Sequence, residues 1–107
     1  MKQENYLYWK KKLFRMKTIF INLSDIQSIE ELHLLLKNKL NFPAFYGMNW
    51  DAFWDSITGL VEIPDNIEIT GWSHFRKGLP KDSIIFLDCA LEYNDQSDLK
   101  KIRVHIK

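Results

Sequence analysis

Two aspartates, Asp51 and Asp55, stand four residues apart in the run Asn49-Trp50-Asp51-Ala52-Phe53-Trp54-Asp55-Ser56-Ile57. On a helix, positions i and i+4 lie one above the other, so both carboxylates project from one side. Such a pair can work as acid and base on a substrate, or it can make charge-assisted hydrogen bonds to the cations of another molecule. The surroundings favour the second. Residues 40–75 contain no Lys or Arg, yet they hold Asp51, Asp55, Glu62, Asp65 and Glu68. A field of one sign attracts oppositely charged partners and speeds their encounter. The catalytic alternatives lack support. No Gly-rich phosphate loop is present, and His33, His74 and His105 are too scattered for a metal-ligand motif, so no metal or other cofactor is expected. Cys89 lies in the apolar-rich segment Ile84 to Leu91 and reads as a core thiol rather than a nucleophile. His33 reads as a partly exposed helix residue. The chain is therefore read as a binding protein and not an enzyme.

The acidic pair sits on the second of four expected helices. Asn49 caps it, Trp50, Phe53, Trp54 and Ile57 form its apolar stripe, and Gly59 ends it just after Thr58. The stripe predicts that Phe53 and Trp54 point inward and that Asp51 and Asp55 are exposed. A loop, Phe42 to Met48, leads into this helix, and Tyr46 is expected at the surface. The first helix opens at Ser28, where Ser28 and Glu31 make a capping box, and closes at Asn41 and Pro43. A third, short helix is expected from Ser73 to Gly78 or Pro80. A fourth runs from Ile84 to about Asp95, capped by Asp82 or Ser83. Strands are expected at Thr18–Leu23, Ile67–Thr70 and Ile102–Ile106, from their β-branched and alternating patterns. The order β-α-α-β-α-α-β, with helical crossovers, predicts an α/β domain with a small parallel three-stranded sheet packed with about four helices.

The chain has 107 residues, 46% apolar and 27% charged, which is enough for one domain with a true core. One cysteine permits no internal disulfide, and neither a membrane span nor a signal-peptide core is evident, so a cytoplasmic, reducing setting is expected. The net charge of +1 is unevenly distributed. Lys2, Lys10, Lys11, Lys12, Arg15 and Lys17 face only Glu4 in the first 17 residues, leaving the remainder acidic. Residues 1–16 are read as a basic, aromatic extension and 17–107 as the single domain. The extension has the composition of a nucleic-acid-binding arm, but the acidic domain behind it opposes direct nucleic-acid binding.

The block Tyr46-Gly47-Met48-Asn49-Trp50-Asp51-Ala52-Phe53-Trp54-Asp55-Ser56-Ile57-Thr58-Gly59 resembles the signature of the barstar family, and Val61-Glu62 and Pro64 continue the match. The resemblance runs from about Lys17 to Lys107 and is strongest over residues 28–64. It implies a barstar-like fold and the role of an intracellular inhibitor of small secreted bacterial ribonucleases. In such proteins the second helix and its preceding loop enter the nuclease site, where acidic side chains take the places of RNA phosphates. Carried over by position, Asp55 is the main anchor and Asp51 its neighbour. Phe45, Tyr46 and Gly47 form the loop, Asn49 the cap, and Thr58, Gly59 and Leu60 the far end. A late acidic contact falls on Glu92 or Asp95. Three positions depart from the family pattern. Phe45 stands where a loop tyrosine is expected, Met48 replaces an acidic residue, and Leu60 replaces an exposed aromatic. The implied partner is a basic, barnase-like bacterial ribonuclease bound by a chain that is monomeric when free, with no membrane involved. The alternative is an immunity or regulatory protein of the same fold with a partner other than a ribonuclease.

Overall fold

The computed structural model describes residues 17–96 and 101–107. Its sheet comprises β1 (Thr18–Asn22), β2 (Asn66–Thr70) and β3 (Arg103–Ile106), all parallel, with β2 in the middle. The helices are α1 (Ile29–Leu40), α2 (Trp50–Asp55, continued by a wider turn, Ser56–Leu60), α3 (Trp72–Gly78) and α4 (Pro80–Asp95). This is the expected α/β architecture, with the expected order of elements. The basic extension 1–16 lies outside the described residues.

Register explains which side of the sheet is covered. Ile19 pairs with Ile67 and Ile67 with Val104, while Ile21 pairs with Ile69 and Ile69 with Ile106. Alternation puts these rows on one face. There Ile21, Ile67 and Ile69 are buried with Leu32 and Leu36 of α1, Phe53 and Ile57 of α2, Phe75 of α3, and Phe86 and Tyr93 of α4. The other face carries Phe20, Glu68 and His105 in one row, and Phe20 is 61% exposed.

Two local features anchor the layer. Ser28 accepts from the Glu31 amide at 3.1 Å, as expected of the cap, but the Glu31 carboxylate reaches the Gln27 amide at 2.9 Å rather than that of Ser28. Gly71 caps the start of α3 with φ +73, and a Cβ there would collide with the Ser24 amide nitrogen. Only glycine fits that approach between the chain ends leaving β1 and β2. α4 starts a turn earlier than expected. Neither Asp82 nor Ser83 caps it, because Pro80, expected as a stop signal, occupies its first turn, where a missing N–H costs nothing. The Ser83 hydroxyl donates to the Pro80 carbonyl instead, and Asp82 turns to Trp50.

Candidate partner-binding site

The loop before α2 turns at Met48, whose φ of 57 is left-handed, rather than at Gly47. Gly47 answers a different need, since a Cβ there would stand 3.3 Å from that of Ala52. Asn49 caps the helix as expected, its side-chain oxygen accepting from the Ala52 amide at 2.7 Å. Asp51 follows in the first turn, where the unpaired amides of the helix start favour a negative charge.

The apolar stripe below the aspartates is graded. Phe53 and Ile57 are buried, whereas Trp50 and Trp54 are half-buried and reach the surface beside the acids. Phe53 meets Phe42, Trp50 and Phe86 at ring-centre distances of 5.3–5.8 Å, which fixes the roll of α2. Asp51 and Asp55 are accordingly exposed, and no described side chain hydrogen-bonds or ion-pairs with either carboxylate.

The far end of α2 corrects one expectation. Gly59 does not stop the helix in a left-handed conformation. The last turn widens instead, with the Val61 amide donating to the Ser56 carbonyl at 3.2 Å, five residues back. The Thr58 hydroxyl donates to the Trp54 carbonyl at 2.7 Å, a bond that competes with regular helix pairing. The widened turn carries Leu60 outward to 52% exposure, into a depression shared with Lys17, Lys39, Asn41 and Glu62.

α4 supplies the other wall of the acidic face. Trp50, Asp51, Trp54 and Asp55 line an open groove with Ile85, Cys89 and Glu92. Three acidic residues thus share one open groove with indole and aliphatic walls, and no cation is among the lining residues. Asp95 is exposed at the end of α4 and lies outside the groove, so of the two late acids it is Glu92 that joins Asp51 and Asp55. Cys89 is half-buried at the groove rather than fully in the core. Burial pushes its thiol up, and Glu92 and Asp88 push it further, which keeps it protonated and weakly nucleophilic. Among the described residues no three His, Cys, Asp or Glu side chains gather as a metal site, and no helix is long and apolar enough to cross a membrane.

Tyr46 and His33 overturn their expected exposure. Tyr46 is buried, and its hydroxyl lies 2.7 Å from His33 Nδ1 and donates to the Asn49 carbonyl at 3.4 Å. His33 is wholly buried against Tyr46 and Trp50, with burial lowering its pKa. Burial likewise raises the Tyr46 phenol, so it stays an O–H donor. The most exposed large apolar side chain of the loop is instead Phe45, 76% accessible. Trp50, Trp54, Ile85 and Cys89 also line the groove, and sequence reasoning did not place them there. The Trp stripe was visible, but its half-burial depends on where α4 packs.

A family model described as Barstar (barnase inhibitor) matches residues 16–107. A protein of Bacillus subtilis (strain 168) named "Putative ribonuclease inhibitor YrdF" is 51% identical over 49 residues, which is 46% of this chain and 54% of that protein. The matched part is thus about half of either chain. The family match extends over nearly the whole chain, the parallel sheet and helices are consistent with the barstar-like fold, and on the ground of that match the chain belongs to the barstar family.

Proposed function

We propose that the chain inhibits a basic ribonuclease by presenting the Asp51–Asp55 face of α2 to the nuclease's phosphate-binding cations. The observation that carries this reading is the groove. Asp51, Asp55 and Glu92 stand together, exposed and without a cation among the lining residues. Unpaired carboxylates in one field cost stability through repulsion, and a partner's Arg, Lys or His side chains relieve that cost through charge-assisted hydrogen bonds. Asp55 is the anchor, and Phe45 and Leu60 add apolar contacts at the two ends of α2. Asn49, Gly47 and Thr58 shape the helix ends, and Tyr46 acts from within the fold by holding the loop.

In this reading residues 17–107 form the inhibitory domain, residues 1–16 are dispensable, and the chain works in the cytoplasm as a monomer without catalysis of its own. The test is inhibition of RNA hydrolysis by a basic bacterial ribonuclease, with Asp51→Asn and Asp55→Asn in parallel. Inhibition weakened most by Asp55→Asn supports the proposal. RNA, DNA or sugar turnover by the chain alone, abolished by Asp51→Asn, would replace it with an enzymatic one.

A second reading keeps the groove and changes the partner. Phe45, Met48 and Leu60 are exposed apolar residues around α2. A target with apolar surface at those points, a toxin or regulatory protein other than a ribonuclease, fits them equally well.

A further inference from the structure

Trp50 is tied to more of the molecule than its neighbours on the acidic helix. Its indole Nε1–H donates to Asp82 Oδ1 at 2.9 Å, reaching the first turn of α4. Its ring meets His33 at 4.8 Å, Phe53 at 5.3 Å and Phe86 at 6.0 Å, edge-on in each case. The residue is nevertheless half-buried and forms part of the groove wall beside Asp51. Aromatic packing tolerates a range of orientations, whereas a hydrogen bond to a carboxylate is directional and charge-assisted. The aromatic contacts hold the indole in place, and Asp82 decides which way it stands.

We propose that Asp82 is a positioning residue for the partner-binding groove. Through the Trp50 indole it fixes α2 against α4, so that Asp51 and Asp55 on one wall keep a set spacing from Glu92 on the other. Asp82 does not itself line the groove. Its effect on a partner is therefore indirect. A groove held at one spacing binds a matching set of cations without rearrangement, and a loose groove must first be ordered. The effect on binding rests on the proposed function, but the clamp between the helices does not.

The clamp is tested on the full chain with three variants. Asp82→Asn keeps an acceptor oxygen, Asp82→Leu removes it, and Trp50→Phe removes the N–H while keeping most of the ring. Two readouts need no partner: the NMR resonance and solvent exchange of the Trp50 indole N–H, and the rate at which Cys89, at the groove, reacts with Ellman's reagent. Asp82→Leu and Trp50→Phe should each raise the thiol rate about fivefold, the population change that loss of one net hydrogen bond produces. The double variant should go no further than either single one, and Asp82→Asn should stay close to wild type. With barnase as the binding probe, Asp82→Leu and Trp50→Phe should speed dissociation by a similar factor and Asp82→Asn should not. Wild-type thiol rates in folded Asp82→Leu and Trp50→Phe proteins would overturn the clamp, and Trp50→Phe decides alone if Asp82→Leu does not fold. Absence of wild-type binding to barnase counts against the ribonuclease reading for that enzyme, while the thiol and NMR readouts still decide the clamp.

Discussion

His33 is fully buried, and its ring has one polar partner, the Tyr46 hydroxyl at 2.7 Å from Nδ1. Nε2 has none. The arrangement that satisfies most groups has Nδ1–H donating to Tyr46, whose own proton goes to the Asn49 carbonyl, leaving Nε2 as a bare acceptor. Protonation would put a charge and an unpaired N–H on Nε2 in the core. Burial accordingly lowers the His33 pKa from 6.5, against a smaller opposing pull from the Asp82 and Glu30 carboxylates. The unfolded chain then binds a proton that the folded chain refuses. Stability is intact above 6.5 and falls as pH drops below it toward the lowered folded value. One such group gives a slope of at most about 1.4 kcal/mol per pH unit. Urea unfolding followed by tryptophan fluorescence between about pH 5.5 and 8 isolates this window from the carboxylates, which titrate lower. Wild type should lose stability toward pH 5.5, and His33→Leu, with nothing to titrate there, should be nearly flat. Equal slopes in the two proteins would refute the reasoning.

Other outcomes follow from the same contacts. Tyr46→Phe should cost about 1–3 kcal/mol, because it leaves the His33 Nδ1 group buried without its partner; chemical denaturation reads this directly. Asn49→Ala removes the acceptor for the Ala52 amide and should destabilise by about 1 kcal/mol, measured the same way. Deleting residues 1–16 should leave the circular dichroism spectrum and any inhibition unchanged, since the described residues from the strand at Thr18 onward already bury a core of their own.

Periodic signals carried most of the fold. The three strands, the Ser28 and Asn49 caps and the four helices were legible because local hydrogen bonding and apolar spacing specify them. The misreadings share a cause, which is that burial is decided by neighbours distant in sequence. Tyr46 and His33 look polar enough for the surface, but the Tyr46 hydroxyl and His33 Nδ1 pair with each other across thirteen residues. Pro80 reads as a stop signal as easily as a start. The widened turn at Ser56–Leu60, where the Thr58 hydroxyl bonds the Trp54 carbonyl, is not revealed by spacing alone. Asp51 and Asp55 were visible as a pair, whereas which late acid lines the same groove, Glu92 and not Asp95, depends on which side of α4 faces α2.

Asp55, on the acidic face, is proposed to anchor the partner. Surface plasmon resonance against a basic bacterial ribonuclease, at several salt concentrations, tests it most directly. The on-rate should fall as ionic strength rises, because screening shortens the reach of the field to about 8 Å at physiological salt. Asp55→Ala should cost about 2–5 kcal/mol, chiefly as faster dissociation, since it leaves a desolvated cation of the nuclease uncompensated. Glu68→Ala, on the opposite face of the sheet from the packed helices, should stay within about 0.5 kcal/mol of wild type. Equal, small effects from Asp55→Ala and Glu68→Ala, or an on-rate indifferent to salt, would contradict the account.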